Sequence, residues 1–98
     1  SNHEGELIDR LQDALGSVDG VVLNPGALTH YSYALHDAIE AIALPVVEIH
    51  LTDITRREEW RAHSVTSPAC IATISGHGTD GYREALELLA GRRIEGGA

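Results

Sequence analysis

An α/β domain with a doubly wound parallel sheet is the fold class this sequence predicts, and three observations predict it. Val21-Val22-Leu23, Val46-Val47-Glu48-Ile49-His50-Leu51 and Cys70 to Ser75 are short, largely apolar runs of the kind that central parallel strands show. Helical stripes lie between and around them: Leu7, Ile8, Leu11 and Leu15 before the first run, and Ala34, Leu35, Ala38, Ile39 and Ile42 after it. Polar clusters then fall where the first two runs end, and in an open α/β sheet ligands bind at the carboxyl ends of the strands.

Each element has its local reason. Asn2 is a good N-cap, and Glu4 and Glu6 follow in the first turn, where the helix dipole favours acid. Gly16 is a natural stop. Gly20 leads into the Val21–Leu23 strand, and Asn24 to Thr29 reads as a loop. A second helix is predicted from Tyr31 to Ala43, ended by Pro45. The strand Val46–Leu51 follows. Thr52 to Ser67 is polar and Arg-rich, a loop with one short helix near Arg57–Arg61. Cys70 to Ser75 is the third strand, Gly76 to Gly81 a turn, Tyr82 to about Ala90 the last helix, and Arg92 to Ala98 a frayed tail. The order α-β-α-β-loop-β-α argues for a parallel sheet with flanking helices. At 98 residues the chain reads as a single domain. Three strands are few for such a sheet, and the chain opens on a helix that would ordinarily follow a strand, so residues 1–98 read as the later part of a larger doubly wound domain.

Composition excludes several functions. Net charge is −8 and every fixed cation is Arg, with no Lys. An acidic chain without a basic run is a poor binder of nucleic acid or anionic membrane. No Schiff-base mechanism is open to a chain without a lysine amine. The single Cys70 cannot form an internal disulfide and sits in an apolar run, which fits a buried inert thiol in a reducing, cytoplasmic compartment. No apolar run approaches ~20 residues, so no transmembrane helix is expected. No signal peptide is read, and the absence of Met means that Ser1 is not read as a native start.

Gly76-His77-Gly78-Thr79-Asp80-Gly81 is a literal G-x-G-x-x-G between a strand and a helix. The dinucleotide fingerprint also needs a following strand with an acid about 20 residues on. The chain has none, so a tight strand-to-helix turn is the better reading. The histidines His30, His36, His50 and His63 lack the short spacings of common zinc sites, and no metal is expected. Ser64 and Ser67 lie on no nucleophile elbow. Glu48 and His50 are more informative. Two apart on a strand, they point to one side. A carboxylate beside an imidazole favours the protonated ring and fixes its tautomer, as a general acid requires; a purely structural pair at a strand end fits the spacing equally well. Asn24 can donate and accept, and so could orient a water or stabilise an oxyanion. Arg56, Arg57 and Arg61 could grip a carboxylate or hydroxyls, with pairing to Glu58 and Glu59 the default for at least two of them. Backbone N–H groups at Leu51 and Thr52 could bind a carboxylate.

In order and spacing these pieces closely resemble type II 3-dehydroquinate dehydratase (type II dehydroquinase). The resemblance is carried by Ser1-Asn2-His3-Glu4-Gly5-Glu6-Leu7-Ile8-Asp9, Asn24-Pro25-Gly26-Ala27-Leu28-Thr29-His30, Asp37-Ala38, Pro45-Val46-Val47-Glu48-Ile49-His50, Arg57-Glu58-Glu59-Trp60-Arg61 with His63-Ser64, and Gly76-His77-Gly78 with Gly81-Tyr82. It implies a flavodoxin-like fold with a five-stranded parallel sheet. It also implies a cofactor-free lyase that dehydrates 3-dehydroquinate to 3-dehydroshikimate through an enolate, a shikimate-pathway step. The type I enzyme of that reaction uses a Lys Schiff base, so a chain without Lys agrees with the enolate route.

Carried over by position, His50 resembles the general acid that protonates the departing hydroxyl, with Glu48 orienting it. Asn24 resembles the residue that holds a water against the enolate, and Leu51 and Thr52 the backbone carboxylate site. His30 and Arg61 resemble ligands of the substrate hydroxyls, and Gly26 and Ala27 let the loop approach the ring. Asp37 resembles an acid that reaches a neighbouring subunit's site, which implies trimers assembled as dodecamers. Thr52 stands where the family usually has Ser and keeps the hydroxyl. The family's front, a strand, a loop with a lid Arg and the base Tyr, a helix and a second strand, has no match in this sequence; Tyr31, Tyr33 and Tyr82 do not stand in the base position. The expectation is therefore the later two-thirds of a type II dehydroquinase, inactive as a 98-residue polypeptide alone. The competing expectations are a non-catalytic domain that keeps the fold and oligomer surface, and a nucleotide-binding oxidoreductase built on Gly76–Gly81.

Overall fold

The structure is a computed structural model that describes residues 3–52 and 63–95, with side chains described through Gly91. Helix α1 spans Glu4–Ala14, strand β1 Val21–Leu23, helix α2 Tyr33–Ile42, strand β2 Val46–His50, strand β3 Ala72–Ser75 and helix α3 Asp80–Glu95. Short 3-10 turns occupy Gly26–His30 and Ser67–Ala69. All three strands are parallel, in the order β1-β2-β3.

The pleat sends alternate residues to opposite faces. On one face Leu23 and Val46 pack with Leu7 and Leu11 of α1 and with Leu35, Ile39 and Ile42 of α2. On the other, Val47 and Ile49 pack with Ala85 and Leu89 of α3. The sheet is thus covered on both sides, and all five residues of central β2 are buried. That double cover explains why the strands read as apolar runs rather than as alternating ones. The outer edge of β1 borders a groove of about 440 Å³, lined by Leu7, Leu11 and Ala14 of α1, by Asn24 and by Tyr82. Among the described residues no helix is long and apolar enough to cross a membrane.

Boundaries of all three helices and of β2 and β3 differ from those predicted, β2 ending at His50 rather than Leu51. Helix α1 is capped by His3, with no side-chain bond; Asn2 lies outside the described residues. Leu15 is 55% exposed, because it is the C-cap of α1 and its ψ of 124° takes it off the helical path. Helix α2 begins at Tyr33 rather than Tyr31, since the Tyr31 and Ser32 amides both close onto Leu28 O. Ser32 then caps α2 by accepting from Leu35 N at 3.0 Å, and its own hydroxyl donates to Glu4 Oε2 at 2.5 Å, which ties α1 to α2. Ala34, in that first turn, is exposed, and the inward stripe narrows to Leu35, Ala38, Ile39 and Ile42. Strand β3 begins at Ala72 because Ser67-Pro68-Ala69 coil into a 3-10 turn before it. Helix α3 starts at Asp80 and continues through Glu95, across residues that composition marks as a frayed tail. Gly91 weakens a helix interior by only about 1 kcal/mol and no Pro interrupts it.

Candidate active site

The register pairs Leu23 with Glu48 and His50 with Ser75. Asn24, His50 and the Gly76 loop therefore leave the sheet at one edge, the carboxyl edge expected from the sequence.

Glu48 is fully buried on the β2 face that meets α1 and α2. A carboxylate there must be hydrogen-bonded to be tolerated. Its Oε2 accepts from His50 Nε2 at 2.8 Å, from Thr29 Oγ1 at 3.1 Å and from Ser64 Oγ at 3.2 Å, and its Oε1 accepts from Thr66 Oγ1. Burial pushes the Glu48 carboxyl up. The bonds from His50 and Thr66, the positive charge of His50 and the Thr29 hydroxyl outweigh it, and the carboxyl lies below its ordinary value. The pair read from strand spacing is thus made. His50 is 6% exposed and commits Nε2 to Glu48, leaving Nδ1 as the nitrogen for a ligand.

The segment carrying Ser64 and Thr66 is held by three bonds from the β1–α2 region. Val65 N donates to Thr29 O, His36 Nδ1 to Val65 O and His30 Nδ1 to His63 O, each at 2.7 Å. Ser67 N donates to Ser64 Oγ at 3.0 Å. His30 is half-buried, and its Nδ1 is engaged by that bond. Asn24 accepts from Gly26 N through Oδ1 at 3.1 Å, which spends its carbonyl on the loop and leaves its NH₂ to donate. Gly26 has a φ of +58°, which L side chains adopt only under strain, and Ala27 beside it is exposed.

Leu51 and Thr52 are exposed at the end of β2. The loop after β3 takes up the carbonyls there: Gly76 N donates to His50 O at 3.2 Å, Gly78 N to Leu51 O at 3.0 Å and Ser75 Oγ to Thr52 O at 3.1 Å. The G-x-G-x-x-G is therefore a strut for β2, with the amides of all three glycines spent on protein carbonyls, Gly81 N on Gly78 O at 3.1 Å, instead of facing a phosphate. Cys70 is half-buried, and burial together with the Glu48 charge pushes its thiol up to about 12. His36, Asp37 and Glu40 bring one donor atom each within 4.8 Å of one another. The sequence reading, which compared histidine spacings, passed over this His–Glu pair at i, i+4. Asp37 and Glu40 are exposed, and both His36 nitrogens already bond, to Val65 O and to Glu40 Oε1 at 3.2 Å. Arg61, with Arg56, Arg57, Glu58 and Glu59, lies outside the described residues.

Sequence reasoning missed Thr29, Ser64 and Thr66 as partners of the pair. They stand 16 to 19 positions from Glu48, beyond any motif spacing. The usable signal was Glu48 itself: a carboxylate in an apolar strand demands donors, and Ser and Thr were the donors at hand.

Fold and site together define a flavodoxin-like α/β domain with a carboxylate–imidazole pair at the carboxyl edge of its sheet. Residues 1–90 match the family model described as dehydroquinase class II, and the chain belongs to that family. It is 54% identical over 90 residues to a 3-dehydroquinate dehydratase of Caldicellulosiruptor saccharolyticus and 55% identical over 98 residues to one of Bacillus pumilus, covering 91% and 100% of this chain. It spans 62% and 65% of the length of those two relatives. The crystal structure of a type II dehydroquinase from Butyrivibrio crossotus superposes with a TM-score of 0.89 at 46% identity, covering 92% of this chain and 63% of that one. A type II dehydroquinase from Propionibacterium acnes gives 0.85 at 38% identity, covering 92% and 66%.

Proposed function

We propose that these residues supply the acid half of a 3-dehydroquinate dehydratase site, in which a proton is removed to give an enolate and the hydroxyl leaves as water. The observation that carries this reading is the buried Glu48–His50 bond, with Nε2 on the carboxylate and Nδ1 left over. His50 protonates the departing hydroxyl, and Glu48 holds the ring. The NH₂ of Asn24 donates to the water that stabilises the enolate, the Leu51 and Thr52 amides bind the substrate carboxylate, and His30 and Arg61 bind its hydroxyls. Gly26 and Ala27 keep the loop thin against the ring. No cofactor is invoked, because acid–base chemistry on a β-hydroxyketone requires none. Asp37, exposed on α2, reaches a neighbouring subunit in trimers assembled as dodecamers, within a cytoplasmic shikimate-pathway enzyme.

Residues 1–98 are on this proposal the later two-thirds of the family's five-stranded fold. Support comes from the share of the relatives' length that the chain spans and from the groove along the outer edge of β1. The base Tyr and lid Arg belong to the other third, so the 98-residue polypeptide by itself is inactive. Ultraviolet detection of the conjugated enone formed from 3-dehydroquinate tests this. The chain joined behind the unmatched third of the Bacillus pumilus relative is expected to turn over, and the 98 residues alone are not. Turnover by the isolated chain, or none by a folded fusion, would overturn the proposal.

A further inference from the structure

The hydroxyls around Glu48 have a definite proton inventory. Thr29, Ser64 and Thr66 bring three O–H groups, each with one proton to give. Their oxygens also lie close to one another: Thr29 to Ser64 at 2.6 Å, Thr29 to Thr66 at 2.8 Å and Ser64 to Thr66 at 3.2 Å. An ionised carboxylate only accepts, and offers about four lone-pair sites. Thr66 meets Oε1, while Thr29, Ser64 and His50 converge on Oε2. The network closes when Glu48 is ionised, since every hydroxyl then has an acceptor. A protonated Glu48 would need one of these hydroxyls as its acceptor and would lose the charge that strengthens the bonds from His50 and from the others.

We propose that Thr66, Thr29 and Ser64 are positioning residues that act through Glu48 on His50: by hydrogen-bonding the carboxylate they keep it ionised and fixed, so that Nε2 of His50 keeps its proton on Glu48 in both the charged and the neutral ring, and the proton that the charged ring gives up is the one on Nδ1, which faces the substrate. The role assigned to Nδ1 rests on the dehydratase reading above; the tautomer and the state of Glu48 do not.

Thr66 is the strongest of the three. Its side chain is fully buried, and it donates to the oxygen that His50 does not use. Its backbone is held as well, because Cys70 Sγ meets Thr66 O at 3.5 Å and Ala69 N donates to it at 3.0 Å. The other titratable groups near this network leave its hydroxyls to Glu48. His50 shares β2 with Glu48, Cys70 precedes β3, and His30 and His36 hold the backbone of residues 63 and 65 through Nδ1. Glu4 of α1 is engaged by Ser32.

Nuclear magnetic resonance on the fusion described above, without substrate, tests the proposal independently of any turnover. Nitrogen-15 shifts of the wild-type His50 ring should report an Nε2–H tautomer; an Nδ1–H tautomer would overturn the proposal. In Thr66→Val the carbon-13 titration of the Glu48 carboxyl should move upward by about one pH unit, as expected when a hydrogen bond to the charged form is lost. Thr66→Ser, which keeps the hydroxyl and drops the methyl, should return it to the wild-type midpoint. An unmoved midpoint in Thr66→Val, or one raised equally in Thr66→Ser, would assign Thr66 to packing alone and sink the idea. Should Thr66→Val fail to fold, the half-buried Ser64→Ala carries the same reading, with an upward shift expected and an unchanged midpoint contradicting it.

Discussion

Glu48→Gln is the perturbation on which the physical account depends most heavily. The carboxylate takes four donors, from His50 at 2.8 Å, Thr29 at 3.1 Å, Ser64 at 3.2 Å and Thr66. An amide offers one acceptor oxygen and a donor NH₂. Its best fit puts the oxygen toward His50 and the NH₂ toward Thr66, whose hydroxyl must turn to accept. Each bond that survives changes from charge-assisted to neutral, a loss of about 1 kcal/mol. Removing a buried charge offsets part of that loss. The balance is known in sign, because a carboxyl held below its ordinary value means that the fold prefers the ionised form to a neutral one. The net cost at pH 7 is therefore about 1–3 kcal/mol, which moves the urea midpoint down by about 1 M. The pH dependence follows from the same shift. A depressed folded value contributes stability that is present above the unfolded glutamate value of about 4.3 and is lost as pH falls through the folded value. The gap between wild type and Glu48→Gln should therefore close below about pH 4. Urea unfolding followed by circular dichroism at pH 7 and pH 3 measures both. Equal stabilities at pH 7, or a gap that persists undiminished in acid, would refute the reasoning.

The remaining expectations are more local. Cys70, pushed up to about 12, should resist a thiol reagent at pH 8, where only ~1 in 10,000 molecules carries the thiolate; rapid labelling of folded protein would contradict its burial beside Glu48. Ser32→Ala loses both the cap on Leu35 N and the bond to Glu4, and should cost about 1–2 kcal/mol in denaturant unfolding. Gly26→Ala should cost about 1 kcal/mol through its φ of +58° alone, since an added Cβ meets nothing within 4 Å. A fall in melting temperature well beyond 4–8 °C would mean that the loop is crowded after all.

The sheet was legible because burial on both faces writes itself as apolar runs, and Val46 to His50 stands out even with two polar residues inside it. The Glu48–His50 pair was legible for the same reason: a strand's two-residue repeat puts both side chains on one side. The edges of helices were less so. Leu15 fits the stripe of α1 by spacing yet lies outside it, because a C-cap's ψ is set by the turn that follows. Ala34 fits α2 by spacing, but the 3-10 closure onto Leu28 delays the helix. The hydroxyls on Glu48 were illegible because they come from the β1–α2 turn and from residues 64–66, brought to β2 by one backbone bond and two histidine bonds that no local pattern encodes.

His50→Ala in the turnover-competent fusion removes the proposed acid outright. The rate of enone formation from 3-dehydroquinate should fall at least 10²–10⁴-fold, with the folded sheet and the assembly retained. A rate close to that of the unsubstituted fusion would contradict the assignment of His50 as the acid.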